Sequence, residues 1–418
     1  MTSKVIQVQK ILNKNISEAI GKDKKFTMLL ASEPFSLPKE EHRGFNERYE
    51  KIKEFFTITN SLVYKALFHK TKEAKELYTL IFSGKKQEII NEQRLWYKNE
   101  KNPLPLFFRT DESQPGIITE IQCPGSGIAQ VGELQKAWEQ VLGKKLWPDW
   151  DRQIVKDIIK VTKKKNPKLI YLPRSSCVED ILLFIKKTTK YGINYTSFNP
   201  KSKKIPQCDM IKNHSYTSLR KNPFFTKLFI DSYNKKTIID VPPVLILDMK
   251  LIFALPFYLK TKDYYPNYIK NLFPKTNIIK LNETIIIEDT KFNYEEYCSL
   301  PESKRNHVIK YAGGFGKGTS GGKKVFTLKT SKKNCRILLK KSLQEYQIGK
   351  SWIIQPIINK RQDYSFLSSK ETIEKENGYT KFSGFYGPNG LIMTNILLKN
   401  FYKVNASEST SCAPILFK

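Results

Sequence analysis

The chain has 418 residues, 72 Lys and Arg against 40 Asp and Glu, and a formal net charge of +32. Its 40% hydrophobic content, with 25 Phe and 21 Tyr, supports real cores and excludes a disordered chain. No apolar run approaches ~18 residues, so no membrane span is expected, and the start Met-Thr-Ser-Lys-Val-Ile-Gln lacks the apolar core of a signal peptide.

Residues 1–100 read as a mainly helical layer. Apolar residues recur at three- and four-residue spacing over 8–20, 47–56, 61–68, 72–81 and 87–97. Residues 101–150 hold a β-hairpin (104–122) that turns at Gln114-Pro-Gly116, a turn after Cys123, and an amphipathic helix (131–142) ended by Gly143. Residues 151–248 alternate helices (153–161, 178–189) with strands (168–172, 192–196, 244–248), the pattern of a parallel αβ unit. Within it, 198–240 is too polar to assign. Residues 249–418 begin with a helix at 265–273. A strand near 308–310, a glycine-rich stretch, a strand at 324–328 and an apolar strand at 351–358 follow. Tail strands are expected at 381–386 and 391–398. The chain has no internal repeat.

The charge has a plain reading. Only ten of the 72 basic residues are Arg, whereas proteins that fork phosphates or read bases lean on Arg. The lysines are spread along the chain and would steer acidic substrates such as ATP or a polycarboxylate. Six cysteines, at 123, 177, 208, 298, 335 and 412, form no CxxC pair. Neither a zinc site nor a disulfide framework is suggested, and a reducing cytoplasm is expected. The four histidines (42, 69, 214, 307) lie far apart and read as structural or surface residues. No convincing Ser-His-Asp or Cys-His set is present.

The hairpin carries the most chemistry. Arg109 and Asp111 are two apart and share one face of a strand, as do Glu120 and Gln122 on the returning strand. Their hard oxygens suit Mg²⁺, and the fixed cation suits a phosphate or acyl phosphate. A charged structural hairpin fits the same residues. The glycine stretch places Gly313, Gly314, Gly316, Gly318, Gly321 and Gly322 between two strands, behind Lys310. Glycine lets the backbone approach phosphates closely. A strand follows, not a helix, so neither a Walker loop nor a Rossmann fingerprint is present. A strand–glycine loop–strand occurs in protein kinases, but HRD, DFG and APE are absent. A floppy linker is the other reading, and the flanking apolar strands argue against it. The strand at 351–358 suits an adenine contact or an ordinary core.

In this order the pieces resemble an ATP-grasp ligase of the permuted type. More narrowly, they resemble glutathionylspermidine synthetase-like enzymes and, at greater distance, eukaryotic glutathione synthetases. Arg109-Thr-Asp111 and Glu120-Ile-Gln122 stand where those families place Arg-x-Asp and Glu-x-Asn. Lys310-Tyr311 matches their Lys-Pro strand, and Trp352-Ile-Ile-Gln-Pro356 their hinge strand. Lys262, ahead of Leu272-Phe-Pro274, matches an upstream lysine, with Lys260 close by. Gln122 replaces an Asn, Tyr311 replaces a Pro, and no carboxylate stands in the glycine stretch.

The resemblance implies an α+β or α/β chain. A nucleotide would be held between two β-rich lobes, with an αβ pre-ATP-grasp-like unit (151–248), an ATP-binding lobe (249–418) and the N-terminal helical layer. It implies an ATP-dependent carboxylate–amine ligase that forms an amide through an acyl phosphate. Mg²⁺, two ions by family, would sit on Asp111, Glu120 and Gln122, with Arg109 stabilising the reacting acyl group. Lys262, Lys310 and Gly313, Gly314, Gly316 and Gly318 would hold phosphates. Gln355, Pro356 and Ile357 would read adenine, and Ser126 would touch substrate. The partners are then a small-molecule or peptide carboxylate and an amine. The alternative is a basic protein that binds nucleic acid or an acidic surface on a degenerate, inactive ATP-grasp fold.

Overall fold

A computed structural model describes residues 4–171, 178–197, 207–212, 230, 232–234, 237–280, 284–287, 290–313, 324–358, 360–401, 404 and 407–418. Two compact units emerge. One is built from residues 1–50, 105–242 and 359–418, the other from 51–104 and 243–358.

The first unit is organised by a mixed eight-stranded sheet. Its order is Arg361–Leu367, Leu29–Ala31, Ser411–Phe417, Gly390–Lys399, Ile373–Gly387, Phe108–Gln114, Ile117–Gln122, with Phe35–Leu37 on the side of Ser411–Phe417. Leu29–Ala31 and Phe35–Leu37 run parallel to Ser411–Phe417, and the remaining pairs are antiparallel. Arg361–Leu367 pairs both with Leu29–Ala31 and with the first half of Ile373–Gly387, so the pairing returns on itself. Gly390–Lys399 is buried along almost its whole length, which is why it reads as a continuous apolar run. Residues 1–100 read as mainly helical, and the two short strands at 29–31 and 35–37 are additions to that reading. So is Arg361–Leu367.

Helices Lys4–Ile20, Ile128–Leu142 and Trp150–Thr162 pack on this sheet, and Val178–Thr189 packs on those helices. Val8, Leu12, Leu134, Trp138, Ile158 and Leu183 share one core with Phe385, Met393 and Leu397 of the strands. Gly132 permits the closest approach. A Cβ there would stand 2.3 Å from the Trp150 indole. A second sheet is wholly parallel, in the order Asn194–Ser197, Lys168–Tyr171, Met210–Lys212, Ile238–Ile239. Parallel strands alternate with helices here, but the run at 244–248 is not one of the strands. That run forms a short 3-10 helix, Leu245–Asp248, in the second unit. The Leu245 N–H donates to Gln93 Oε1 (2.8 Å) and Gln93 Nε2 to the Pro243 carbonyl (3.2 Å). A buried apolar run alone does not distinguish helix from strand.

The second unit holds a four-stranded sheet in the order Val325–Thr327, His307–Tyr311, Trp352–Pro356, Asn277–Ile278, all antiparallel. Ile309, Tyr311, Trp352 and Ile354 pack with Cys335 and Leu339 of the helix Lys332–Gln347. Lys310 and Gln355 alternate with these residues and so lie on the other face. Two expected helices, 47–56 and 61–68, are one helix, Lys39–Phe68. The expected helix at 265–273 is a single turn, Asn267–Lys270, beside the 3-10 turn Lys262–Tyr264. Among the described residues no helix is long and apolar enough to cross a membrane.

Candidate active site

The hairpin forms at Phe108–Gln114 and Ile117–Gln122, with Gly116 at φ +94 in the turn. Its register sets Arg109 opposite Gln122 and Asp111 opposite Glu120. On the other edge, Phe385 faces Arg109 and Ser383 faces Asp111. Directly paired residues of an antiparallel sheet share a face. One face therefore carries Glu120, Asp111 and Ser383 in one row, with Gln122, Arg109 and Phe385 beside it. Lys381, two residues before Ser383, joins that face.

Asp111 is the centre of this group. It is 1% exposed and accepts hydrogen bonds from five donors. Arg109 grips it with two, Nε at 2.7 Å and Nη2 at 3.0 Å. Lys381 Nζ lies at 2.9 Å, Ser383 Oγ at 3.1 Å and Gln122 Nε2 at 3.2 Å. Burial alone would raise the Asp111 carboxyl. The Arg109 and Lys381 charges and their hydrogen bonds outweigh it and hold the group well below the usual carboxylate range. Burial likewise works against the Arg109 charge, and Asp111, with Glu120 and Asp180 further off, more than restores it. Arg109 Nη1 donates to the Ser126 carbonyl at 2.7 Å, and Ser126 Oγ donates to Gln122 Oε1 at 3.4 Å. Arg109, Asp111, Gln122 and Ser126 thus form one hydrogen-bonded group, with Glu120 adjacent in the ladder.

Three supporting residues escaped the sequence reading. Lys381 and Ser383 sit on a strand that was expected at 381–386, and their alternation was visible. Their pairing with a residue some 270 positions earlier was not. Asp180 is the third. Its carboxylate accepts from the N–H groups of Gly127 (2.9 Å), Ala129 (3.0 Å) and Gln130 (3.1 Å). It caps the helix Ile128–Leu142 from another helix and fixes the loop that carries Ser126.

This arrangement is a poor fit to a divalent cation as it stands. An ammonium and a guanidinium approach both Asp111 oxygens, and Gln122 turns its nitrogen toward them. The opposite face is also charged. Glu112, fully buried, faces Arg48 Nη1 at 3.3 Å and accepts from Thr110 Oγ1 and the Gly116 N–H. That pairing fixes the turn.

The remaining expected residues belong to the second unit. Lys310 Nζ donates to Gln355 Oε1 at 2.5 Å, and Gln355 Nε2 donates to Thr276 Oγ1 at 3.1 Å. Side chains of two adjacent strands are thus joined. Ile357 exchanges two bonds with Asn306, N–H to O and O from Nδ2, both at 2.9 Å. Pro356 ends the strand paired with His307. Lys262 starts its own 3-10 turn, with its N–H on the Tyr258 carbonyl at 2.8 Å. Gly313 accepts from Lys85 Nζ at 2.5 Å, a lysine that burial lowers to about 8. Gly314, Gly316 and Gly318 lie outside the described residues.

No protein-family model matches the chain, and no curated protein matches it. Solved structures do. A glutathione synthetase-like effector from Globodera pallida, in apo form, is similar over 100% of this chain and 98% of its own, with a TM-score of 0.57 and 8% identity. A candidate gamma-glutamylcysteine synthetase from Methylobacillus flagellatus overlaps 78% of this chain and 84% of its own, with a TM-score of 0.41 and 10% identity. That second likeness is too loose to argue from. The first concerns the fold. This mixed α/β chain, with its large mixed sheet, has a fold similar to a glutathione synthetase-like structure over its full length.

Proposed function

We propose that the chain is a ligase that joins a carboxylate to an amine at the expense of ATP, on an ATP-grasp fold of permuted order. The observation that carries this reading is the buried row on the large sheet, where two cations, a hydroxyl and an amide converge on one carboxylate. The full-length likeness to a glutathione synthetase-like fold supports it. An amide-forming ligase has to hold a carboxylate beside fixed positive charge while its oxygen is phosphorylated, and then expose the acyl carbon to an amine. Arg109 suits the first task, since its guanidinium is already oriented by Asp111 and Ser126. Lys310, Lys262 and Gly313 would receive phosphates, with Gln355, Pro356 and Ile357 near the base. Ser126 would meet substrate. Asp111, Glu120 and Gln122 enter as Mg²⁺ ligands only with a rearrangement, in which Lys381 leaves Asp111 and Gln122 turns its amide oxygen inward.

The test is thermal stabilisation by a non-hydrolysable ATP analogue, with and without Mg²⁺, in the wild type and in Glu120→Gln. At about 100 times Kd a ligand adds about 2.7 kcal/mol, a clear upward shift in Tm. The expected shift requires nucleotide and Mg²⁺ together and is lost in Glu120→Gln. No shift in the wild type at saturating nucleotide, or an equal shift in the variant, refutes the proposal.

A further inference from the structure

The second unit contains a chemical pair that the proposed ligase reaction does not use. Cys298, on the short helix Tyr294–Ser299, and Cys335, on the helix Lys332–Gln347, place their sulfurs 3.3 Å apart. Both are buried, at 1% and 0% exposure. Cys123, Cys208 and Cys412 are also buried thiols.

We infer that Cys298 and Cys335 are an oxidisable dithiol, and that a small-molecule disulfide converts them to an intramolecular bridge. The sulfurs are at van der Waals contact, so the bond requires only a small approach of the two helices. Their surroundings also divide the roles. The hydrogen bond from Cys298 favours the Cys335 thiolate. Burial opposes it, and the nearby Arg305 and Arg336 guanidinia add to the favourable side, so the Cys335 thiol lies below its ordinary value. Cys298 is raised, first by that same hydrogen bond and then by burial. Arg305 is held in place by the carbonyls of Leu328 (3.2 Å), Cys298 (3.4 Å), Leu300 and Thr330. Its charge has no carboxylate among these partners.

The chemistry balances as thiol–disulfide exchange. The Cys335 thiolate attacks one sulfur of RS–SR, whose S–S bond breaks, and RS⁻ leaves to be protonated. Cys298 then loses its proton and attacks Sγ of Cys335. The mixed disulfide breaks and the second RS⁻ departs. Two electrons pass to the small disulfide, which ends as two thiols. Access to the buried sulfurs comes through opening of the helix Tyr294–Ser299, which spans only six residues. The bridge would close the segment 299–334, which contains the paired strands His307–Tyr311 and Val325–Thr327 and therefore Lys310. A closure of that length restricts the unfolded chain and predicts a rise in Tm on the order of 5 °C.

The experiment treats the full chain with excess glutathione disulfide, alkylates the remaining thiols after denaturation, and maps peptides without reduction. The expected product links the Cys298 peptide to the Cys335 peptide and separates on reduction, while Cys123, Cys208 and Cys412 are recovered alkylated. Tm rises on oxidation of the wild type and does not rise in Cys335→Ser. Recovery of both cysteines as free thiols, as separate glutathione adducts, or bridged to other cysteines overturns the inference. The peptide map reads the wild type alone, so the result does not depend on how well the variant folds. Nucleotide binding plays no part in either readout.

Discussion

Replacing Asp111 by Asn changes one oxygen to an NH₂ group and leaves the shape intact, yet it should be among the costliest single changes in the first unit. Each carboxylate oxygen receives donors, Arg109 Nε and Ser383 Oγ on one, Arg109 Nη2, Lys381 Nζ and Gln122 Nε2 on the other. Either orientation of the amide therefore sets NH₂ against two or more donors. It also leaves Arg109 and Lys381, only 13% and 12% exposed in their side chains, as neighbouring cations without their anion. Breaking a buried pair in this way costs about 3–5 kcal/mol. Lys381→Met removes one cation, and Asp111 keeps its two-pronged Arg109, so about 1–2 kcal/mol is expected. Combining the two should cost less than their sum, because residues that share one network do not act independently. Urea unfolding by circular dichroism, with amide exchange on Phe108–Gln114 and Ile373–Gly387, measures all three. The pH dependence has a fixed sign. A carboxyl held below its ordinary value gives stability that is present above about pH 4 and is lost as pH falls further. The reasoning fails if Asp111→Asn is as stable as the wild type, or if Lys381→Met costs more than Asp111→Asn.

Gly132→Ala tests packing against propensity. Alanine improves a helix by about 1 kcal/mol, but its Cβ would meet three atoms of the Trp150 indole at 2.3–2.5 Å. Overpacking costs about 1–3 kcal/mol, so a net loss of Tm is expected, and a more stable variant would show that the indole moves freely. Asp157 is buried with Asn389 donating to it, and burial pushes its carboxyl up to about 6. Ionisation therefore opposes folding above pH 6, and the penalty fades as pH falls toward 4. Asp157→Asn should be about 1–2 kcal/mol more stable than the wild type at pH 7. The gap should close near pH 4 in paired thermal melts, and a gap that is constant with pH contradicts the assignment.

The hairpin was legible because a two-residue period, a Pro-Gly turn and four polar side chains occur within fifteen residues or so of one another. The helices at 131–142, 153–161 and 178–189 were legible from their apolar stripes, and Val178–Thr189 forms with the expected bounds. The long helix Lys39–Phe68 reads as two on the sequence, and Thr57-Ile-Thr-Asn60, a poor helical stretch, lies between them. Tertiary partners decide it. Thr59 Oγ1 returns to the Phe55 carbonyl and meets Tyr265, and the Asn60 side chain bonds Pro103, Asn102 and Tyr97. Met210–Lys212 and Ile238–Ile239 are too short to show a period at all. In the candidate site, Arg109, Asp111 and Gln122 came from local spacing. Lys381, Ser383, Asp180 and the Cys298–Cys335 pair depend on long-range register, and no local pattern encodes that.

The interleaving of the two units bears on biosynthesis. All of 51–104 and 243–358 has left the ribosome while the final strands of the other unit are still unmade. Gly390–Lys399 and Ser411–Phe417 supply neighbours to Ile373–Gly387 and Leu29–Ala31. Leu29–Ala31, like the hairpin at 108–122, must therefore wait for most of translation before its sheet can close. A nascent chain would carry unpaired strand edges for that interval, the condition that recruits chaperones and favours misassembly.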